Sequence, residues 1–160
     1  MAEALPRFGL GFDAHPRDPS RPLRLGGVAF DGEPGLSGHS DGDVVCHALA
    51  DALLGAAALG DLGQHFPDSD PSLAGIAGLE LLGRTVAIVR GSGLAPESCD
   101  LVVLAERPRL GPRRDEVRAA LAEVLAVDVA LVSVKATRPE GLGLSGEGVG
   151  CLALAVLRPA

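Results

Sequence analysis

The sequence predicts an α+β fold: a single-domain two-layer sandwich over residues 1–160, in which a mixed β-sheet carries helices on one face. Three observations lead there. Short apolar segments of strand character alternate with longer segments whose apolar residues recur at helical spacing, and no repeat or linker divides the 160 residues. That length suits one domain with a sizeable core. The final segment, Val149 to Leu157, does not alternate polar with apolar residues, which marks a strand buried on both faces. Three helices cover one face of such a sheet and leave the other bare, so a cyclic homo-oligomer whose sheets face a shared interior is expected.

The elements follow in order. Arg7 to Phe12 is read as a strand and Leu23 to Phe30 as a second, separated by the polar loop His15 to Pro22. Gly32 to Gly38 is turn-rich. From Asp41 onward Val44, Val45, Ala48, Leu49, Ala52 and Leu53 follow a helical period that Gly60 stops, with Asp43, His47 and Asp51 on one face. Gln64 to Ser72 is a loop, Leu73 to Arg90 a second helix ended by Gly91-Ser92-Gly93, and Cys99 to Ala105 a strand. Arg113 to Leu125 is a third helix and Leu131 to Ala136 a strand. The glycine-rich stretch Thr137 to Gly148 leads into the last strand.

Composition narrows the function classes. Hydrophobic residues make up 47 % of the chain, with no Trp or Tyr and four Phe, so the core is built from Leu, Val and Ala. A net charge of −7 without interleaved basic and aromatic residues argues against a nucleic-acid partner. Cys46, Cys99 and Cys151 have no CxxC spacing and read as reduced thiols of a cytoplasmic protein; Cys46 and Cys151 sit in apolar runs as small buried hydrophobes. Neither a signal-peptide core nor an eighteen-residue apolar run is present, so no membrane association is expected.

The chemistry concentrates in Asp13-Ala14-His15 and His47. Strand alternation puts Asp13 and His15 on one side, and a helix supplies His47, which together make a three-donor zinc site with one position open. Taken singly, these residues read as a turn carboxylate, a surface histidine and a hydrogen-bonded core histidine. Asp51, one turn after His47, is either an acceptor for the other ring nitrogen or an exposed acid. His39-Ser40 precedes a helix start, whose free N–H groups suit an anion, and Ser40 or Asp41 suits the N-cap. The Gly141–Gly148 segment could bring backbone amides to a phosphate but lacks the Gly-Lys-Ser/Thr of a Walker loop. Glu140 is either a hard oxygen ligand for a magnesium-like ion or a surface acid. Pro108-Arg109-Leu110 reads as loop, Arg113-Arg114 as a solvated helix start, and His65 as exposed.

In this order the pieces resemble the 2-C-methyl-D-erythritol 2,4-cyclodiphosphate synthase family of the non-mevalonate isoprenoid pathway. The resemblance is carried by Gly9-Leu-Gly-Phe-Asp13-Ala-His15, Gly38-His-Ser-Asp-Gly-Asp43 and His47-Ala-Leu-Ala-Asp51, continuing to Gly60-Asp61. It extends through Phe66-Pro-Asp68-Ser-Asp70-Pro71, Ala105 to Leu110, Lys135-Ala-Thr137 and Gly141-Leu-Gly143. The resemblance implies a phosphorus–oxygen lyase that converts 4-diphosphocytidyl-2-C-methyl-D-erythritol 2-phosphate to the cyclodiphosphate and CMP. It implies that Asp13, His15 and His47 hold Zn2+ with a substrate phosphate oxygen as fourth ligand. Glu140 would help place Mg2+ or Mn2+ at the diphosphate. His39, the catalytic position, and Ser40 would hold the phosphate and erythritol part, with Asp61, Gly63, Phe66 and Asp68 around the sugar portions. Ala105, Pro108 and Leu110 would line a cytosine pocket with Thr137, and a homotrimer would place its active sites between subunits. Two positions depart from the family pattern: Arg138 stands where a threonine is common, and Gly146-Glu147-Gly148 lacks the usual arginine.

Overall fold

In the computed structural model, which describes residues 5–143 and 147–160, β1 (Arg7–Leu25) is one 19-residue strand. It is not the strand and loop expected over this stretch. Residues Arg7 to Pro16 pair antiparallel with β5 (Gly148–Pro159), and Arg17 to Leu25 pair with β2 (Val28–Leu36). The β1–β2 register slips between Asp18 and Pro22 and again between Pro22 and Arg24. A proline, which has no N–H for the ladder, is tolerated at such irregularities. The expected strand Leu23–Phe30 is split by Gly26 and Gly27, at φ +59° and +77°. Two successive residues of positive φ make the tight turn that matches strand twist, and glycine takes that conformation without strain.

Helix α1 (Val44–Ala57) ends on Ala58 in the left-handed region, before Gly60 is reached. A short helix α2 (Leu62–His65) follows. Helix α3 (Gly78–Gly91) starts later than Leu73, because Pro71–Leu73 forms a separate 3-10 turn capped by Asp70. Strand β3 (Leu94–Leu104) begins earlier than Cys99; α4 (Arg114–Leu125) and β4 (Val132–Thr137) fall where the periodicity places them. The strand order is β2-β1-β5-β3-β4, antiparallel throughout except for the parallel pair β3–β4, so the sheet is mixed.

The core lies between this sheet and α1, α3 and α4. Leu49, Leu53, Leu82, Leu121 and Leu125 meet Leu101, Val103, Val134, Cys151, Ala153 and Ala155, all buried. The other face is open in the single chain. Phe8, Leu10 and Phe12 of β1 and Leu152 of β5 are exposed, so β5 is buried on one side by the helices and bare on the other. All three cysteines are free and buried. Among the described residues no helix is long and apolar enough to cross a membrane. Gly146, part of the shortened glycine motif, lies outside the described residues.

Candidate metal centre and neighbouring cavities

Two glycines bring the donor groups together. A Cβ on Gly9 would stand 2.0 Å from Ala52 O and one on Gly11 2.0 Å from Ala48 O, so α1 lies directly on the backbone of β1. Asp13 and His15 continue the same face of the strand, and His47 occupies the first turn of α1 above them. Asp13 Oδ2 is 2.9 Å from His15 Nε2 and 3.0 Å from His47 Nδ1. One donor atom from each residue lies within 4.8 Å of the others. A carboxylate and two imidazoles so gathered suit a divalent ion with bonds of about 2.0–2.2 Å, and three protein donors leave a position for an incoming oxygen.

Burial pushes the Asp13 carboxyl up, but hydrogen bonds and charge from His15 and His47 outweigh it and hold its pKa at about 2. Burial pushes the His47 ring down, and the Asp13 carboxylate outweighs that in turn, leaving it raised above 6.5. The sign of the pH effect follows. Asp13, depressed from 3.8, contributes stability above that value and loses it as pH falls towards about 2. His47, raised, contributes at low pH and loses its share as pH rises through its folded value. Metal-free protein is therefore expected to lose on the order of 2 kcal/mol between about pH 4 and pH 2 through Asp13. Acid titration of Asp13→Asn should lack that increment; an identical acid limb in both proteins overturns the pairing.

The helix start differs from expectation. The N-cap of α1 is Asp43, neither Ser40 nor Asp41, and its Oδ1 accepts from Val45 N and Cys46 N at 3.1 and 3.2 Å. The same fully buried carboxylate accepts from Gly26 N and Gly27 N at 2.8 and 2.7 Å. Burial pushes its pKa up, while the N–H groups of Gly27, Gly26 and Cys46 pull the other way. The first-turn N–H groups of Val45 and Cys46 are thus bound to an internal anion rather than offered to a phosphate, and Asp43 does not join His47 in the site.

The segment from Gly38 to Asp41 is held instead by its neighbours. Arg21 donates to Gly38 O at 2.8 Å and to Ser40 O, His39 O accepts from Gly75 N at 2.8 Å, and Asp41 Oδ2 accepts from Gly78 N at 2.9 Å. Arg21 is a positioning residue that sequence patterns did not single out, and Asp41, expected as a cap of α1, instead binds the first residue of α3, since the partners of both lie on other segments. Asp51 follows neither expected role: its Oδ1 accepts from Leu62 N at 2.9 Å and so ties α1 to α2. His65 is half-buried, with Nε2 2.8 Å from Leu59 O, where exposure was expected.

A cavity of about 230 Å³ opens over the donor cluster. Asp13, His15, His39, Ser40, His47, Gly63, Phe66 and Asp68 all line it, with an apolar side made by Leu73, Ile76 and Leu81. Asp61 is not in the wall; its side chain caps α2 by accepting from Gln64 N at 3.0 Å. Ala105, Pro108, Leu110 and Thr137 line a different cavity, of about 540 Å³, together with Arg109 and Arg138. Glu140 is exposed, at φ +53°, and among the described residues lines neither cavity.

The sheet register relates the two cavities. Asp13 pairs with Cys151, Cys151 with Val103, and Val103 with Ala136. Both cavities therefore open at one end of the sheet, three strand spacings apart, or about 14 Å.

The family described as YgbB matches residues 6–158. The chain is 48 % identical over 152 residues to a 2-C-methyl-D-erythritol 2,4-cyclodiphosphate synthase of Symbiobacterium thermophilum, covering 94 % of this chain and 97 % of that protein. Among solved structures it is similar to the bifunctional IspDF of Campylobacter jejuni, with a TM-score of 0.92 and 38 % identity over 98 % of this chain and 43 % of that one. It is also similar to a 2C-methyl-D-erythritol-2,4-cyclodiphosphate synthase solved in a CDP-bound form, with a TM-score of 0.87 and 35 % identity over 94 % of this chain and 99 % of that one. With its Asp13–His15–His47 cluster at the floor of a cavity, the chain belongs to the YgbB family.

Proposed function

We propose that this protein closes 4-diphosphocytidyl-2-C-methyl-D-erythritol 2-phosphate into 2-C-methyl-D-erythritol 2,4-cyclodiphosphate, releasing CMP in the cytoplasm. The observation that carries the reading is the gathering of one donor atom each from Asp13, His15 and His47 within 4.8 Å of one another beside the cavity, in a chain sharing about half its residues with synthases of that name. The donor set suits zinc, and Glu140 is the candidate carboxylate for a magnesium or manganese ion at the diphosphate. When bound, such ions offset phosphate charge, which lets an acidic chain accept an anionic substrate.

The nucleophile is the 2-phosphate, largely dianionic near neutral pH because its second pKa is about 6. It needs no general base, only placement. An oxygen of this phosphate bonds to the β-phosphorus, the bond from that phosphorus to the bridging oxygen of the CMP half breaks, and CMP leaves with the electron pair. His39 and Ser40 line the cavity wall where the phosphate and erythritol portion fit, and Gly63, Phe66 and Asp68 bound the sugar. Ala105, Pro108 and Leu110 give the second cavity an apolar floor for cytosine, with Thr137 and Arg138 at its edge. Arg138 supplies there a fixed positive charge for the diphosphate.

In one chain the two cavities share no lining residue. A homotrimer in which the cytosine cavity of one subunit meets the donor cluster of the next completes the site. The exposed strip of Phe8 (63 %), Leu10 (68 %) and Phe12 (55 %) supports this assembly, since a contiguous apolar strip on a sheet face calls for a covering partner. Leu10→Asp is expected to give a monomer by light scattering, with catalysis lost and fold retained by circular dichroism; a trimer of unchanged stability overturns the placing of this strip at the interface, and a monomeric wild type overturns the assembly.

Phosphorus NMR of the protein with the cytidyl substrate, zinc and magnesium tests the reaction. Cyclodiphosphate with stoichiometric CMP supports it. Linear phosphate products point to hydrolysis and unchanged substrate to a binding protein, and either result overturns the proposal.

A further inference from the structure

The His47 ring is held from two sides. On one side Nδ1 faces Asp13 Oδ2 at 3.0 Å; on the other Nε2 lies 2.9 Å from Ser40 Oγ, which also accepts from Gly42 N at 3.1 Å. Both Ser40 and His47 are buried, at 7 % exposure each. Turning the ring over about its Cβ–Cγ bond would put carbon atoms at both places and forfeit both contacts. Asp51, the acceptor that helical spacing suggests, is bound to Leu62 N.

We propose that Ser40 is the positioning residue for His47, locking the ring so that Nδ1 faces Asp13 and His15, and thereby setting the affinity of the cluster for a divalent ion. The inference rests on the metal reading above and adds a residue to it. Once Nδ1 gives its lone pair to a cation, Nε2 carries the ring proton and donates it to Ser40 Oγ. The oxygen then accepts from Nε2–H and from Gly42 N–H, and its own proton is left to donate into the cavity that Ser40 lines. Without a cation, Nδ1–H turns to Asp13 and the same hydroxyl rotates to donate to Nε2. A hydroxyl serves both states because it donates and accepts, whereas an ionised carboxylate at residue 40 only accepts. The structure thus gives a reason for a serine, rather than an acid, behind this histidine.

The test is the zinc dissociation constant, read by competition with a chromogenic chelator in wild type, Ser40→Ala, Ser40→Thr and Ser40→Val. Loss of the outer partner of a metal-bound histidine lowers affinity by about 10–100-fold, the loss expected for Ser40→Ala. Thr and Val have one shape and differ in the hydroxyl, so Thr should stay within about threefold of the affinity of wild type while Val falls with Ala. This split would not arise if residue 40 mattered only for folding. Long-range 1H–15N spectra should show the His47 Nε2 proton protected from exchange in zinc-loaded wild type and Ser40→Thr, and exposed in Ser40→Val. Should wild type and His47→Ala bind zinc equally, the metal reading falls and the inference with it. Should wild type bind one zinc and His47→Ala none, while Ser40→Ala and Ser40→Val stay within threefold, the inference alone is overturned.

Discussion

Asp43→Ala is expected to destabilise the protein by roughly 3–5 kcal/mol, a large part of the ~5–15 kcal/mol that holds a domain together. The carboxylate serves four backbone donors at once, two in the Gly26-Gly27 turn and two in the first turn of α1. Losing the helix cap alone costs about 1 kcal/mol. Leaving the buried Gly26 N–H without a partner adds about 1–3 kcal/mol, and the half-buried Gly27 N–H adds about 1 kcal/mol. Asp43→Asn should fall between, because Oδ1 keeps its three donors while an amide at the Oδ2 position would set N–H against Gly27 N–H. Urea unfolding should show a lower midpoint in both variants with an unchanged slope. A loss below 1 kcal/mol for the alanine would mean that the turn and the helix are not joined through this group.

Gly11→Ala is the second large effect, and it reaches the chemistry as well as the fold. The added Cβ would sit 2.0 Å from Ala48 O and 2.7 Å from Ala52 N, both backbone atoms of α1, so no rotamer change relieves it. The helix must move off the strand. Overpacking of this kind costs about 3 kcal/mol at the upper end of its usual range. Because His47 precedes Ala48, the same shift separates His47 from Asp13, and a misplacement of about 1 Å in a catalytic constellation costs about 100-fold in rate. Gly55→Ala, in the same helix, is the control. Its Cβ has a single neighbour within range, Leu10 O at 3.9 Å, so it should leave turnover alone and gain helix propensity of up to about 1 kcal/mol. Comparable losses in the two variants would remove the argument from close approach.

The sequence was informative where side-chain periodicity and local chemistry agree. The alternation in Gly9-Leu10-Gly11-Phe12-Asp13-Ala14-His15 placed Asp13 and His15 on one side, and the apolar period of α1 brought His47 over them. His39 and Ser40 stand out by preceding a helix start, Gly63, Phe66 and Asp68 only through the resemblance, and all five line one cavity. The boundaries that failed did so for identifiable reasons. Three prolines and Asp18 make residues 15–22 read as loop, yet the second half of β1 bonds only β2 among the described strands and slips register twice, so it tolerates missing donors. Apolar continuity across Leu25-Gly26-Gly27-Val28 hid the hairpin turn, although Gly-Gly between strands is itself a turn signal. Contacts such as Arg21 to the carbonyls of Gly38 and Ser40, or Asp43 to the Gly26-Gly27 turn, join segments 16–19 residues apart on different elements. No local period encodes them.

The order β2-β1-β5-β3-β4 also has a consequence for how the molecule is made. The central strand is the last of the five in chain order, and its register joins Leu157 to Arg7 on one side and to Pro96 on the other. Until β5 inserts, β1 and β3 each carry an unsatisfied edge, and closing such distant pairs is slow and exposes the chain to aggregation. The cation donors share in that closure, because Asp13 and His15 lie in the half of β1 whose ladder partner is β5. Asp13, His15 and His47 fall within the first β1-β2-α1 stretch, whose Gly11 contact and Asp43 clasp are both internal to it. A nascent chain therefore holds all three donors early, close to α1, and fixes their strand only when the last one joins the two halves of the sheet.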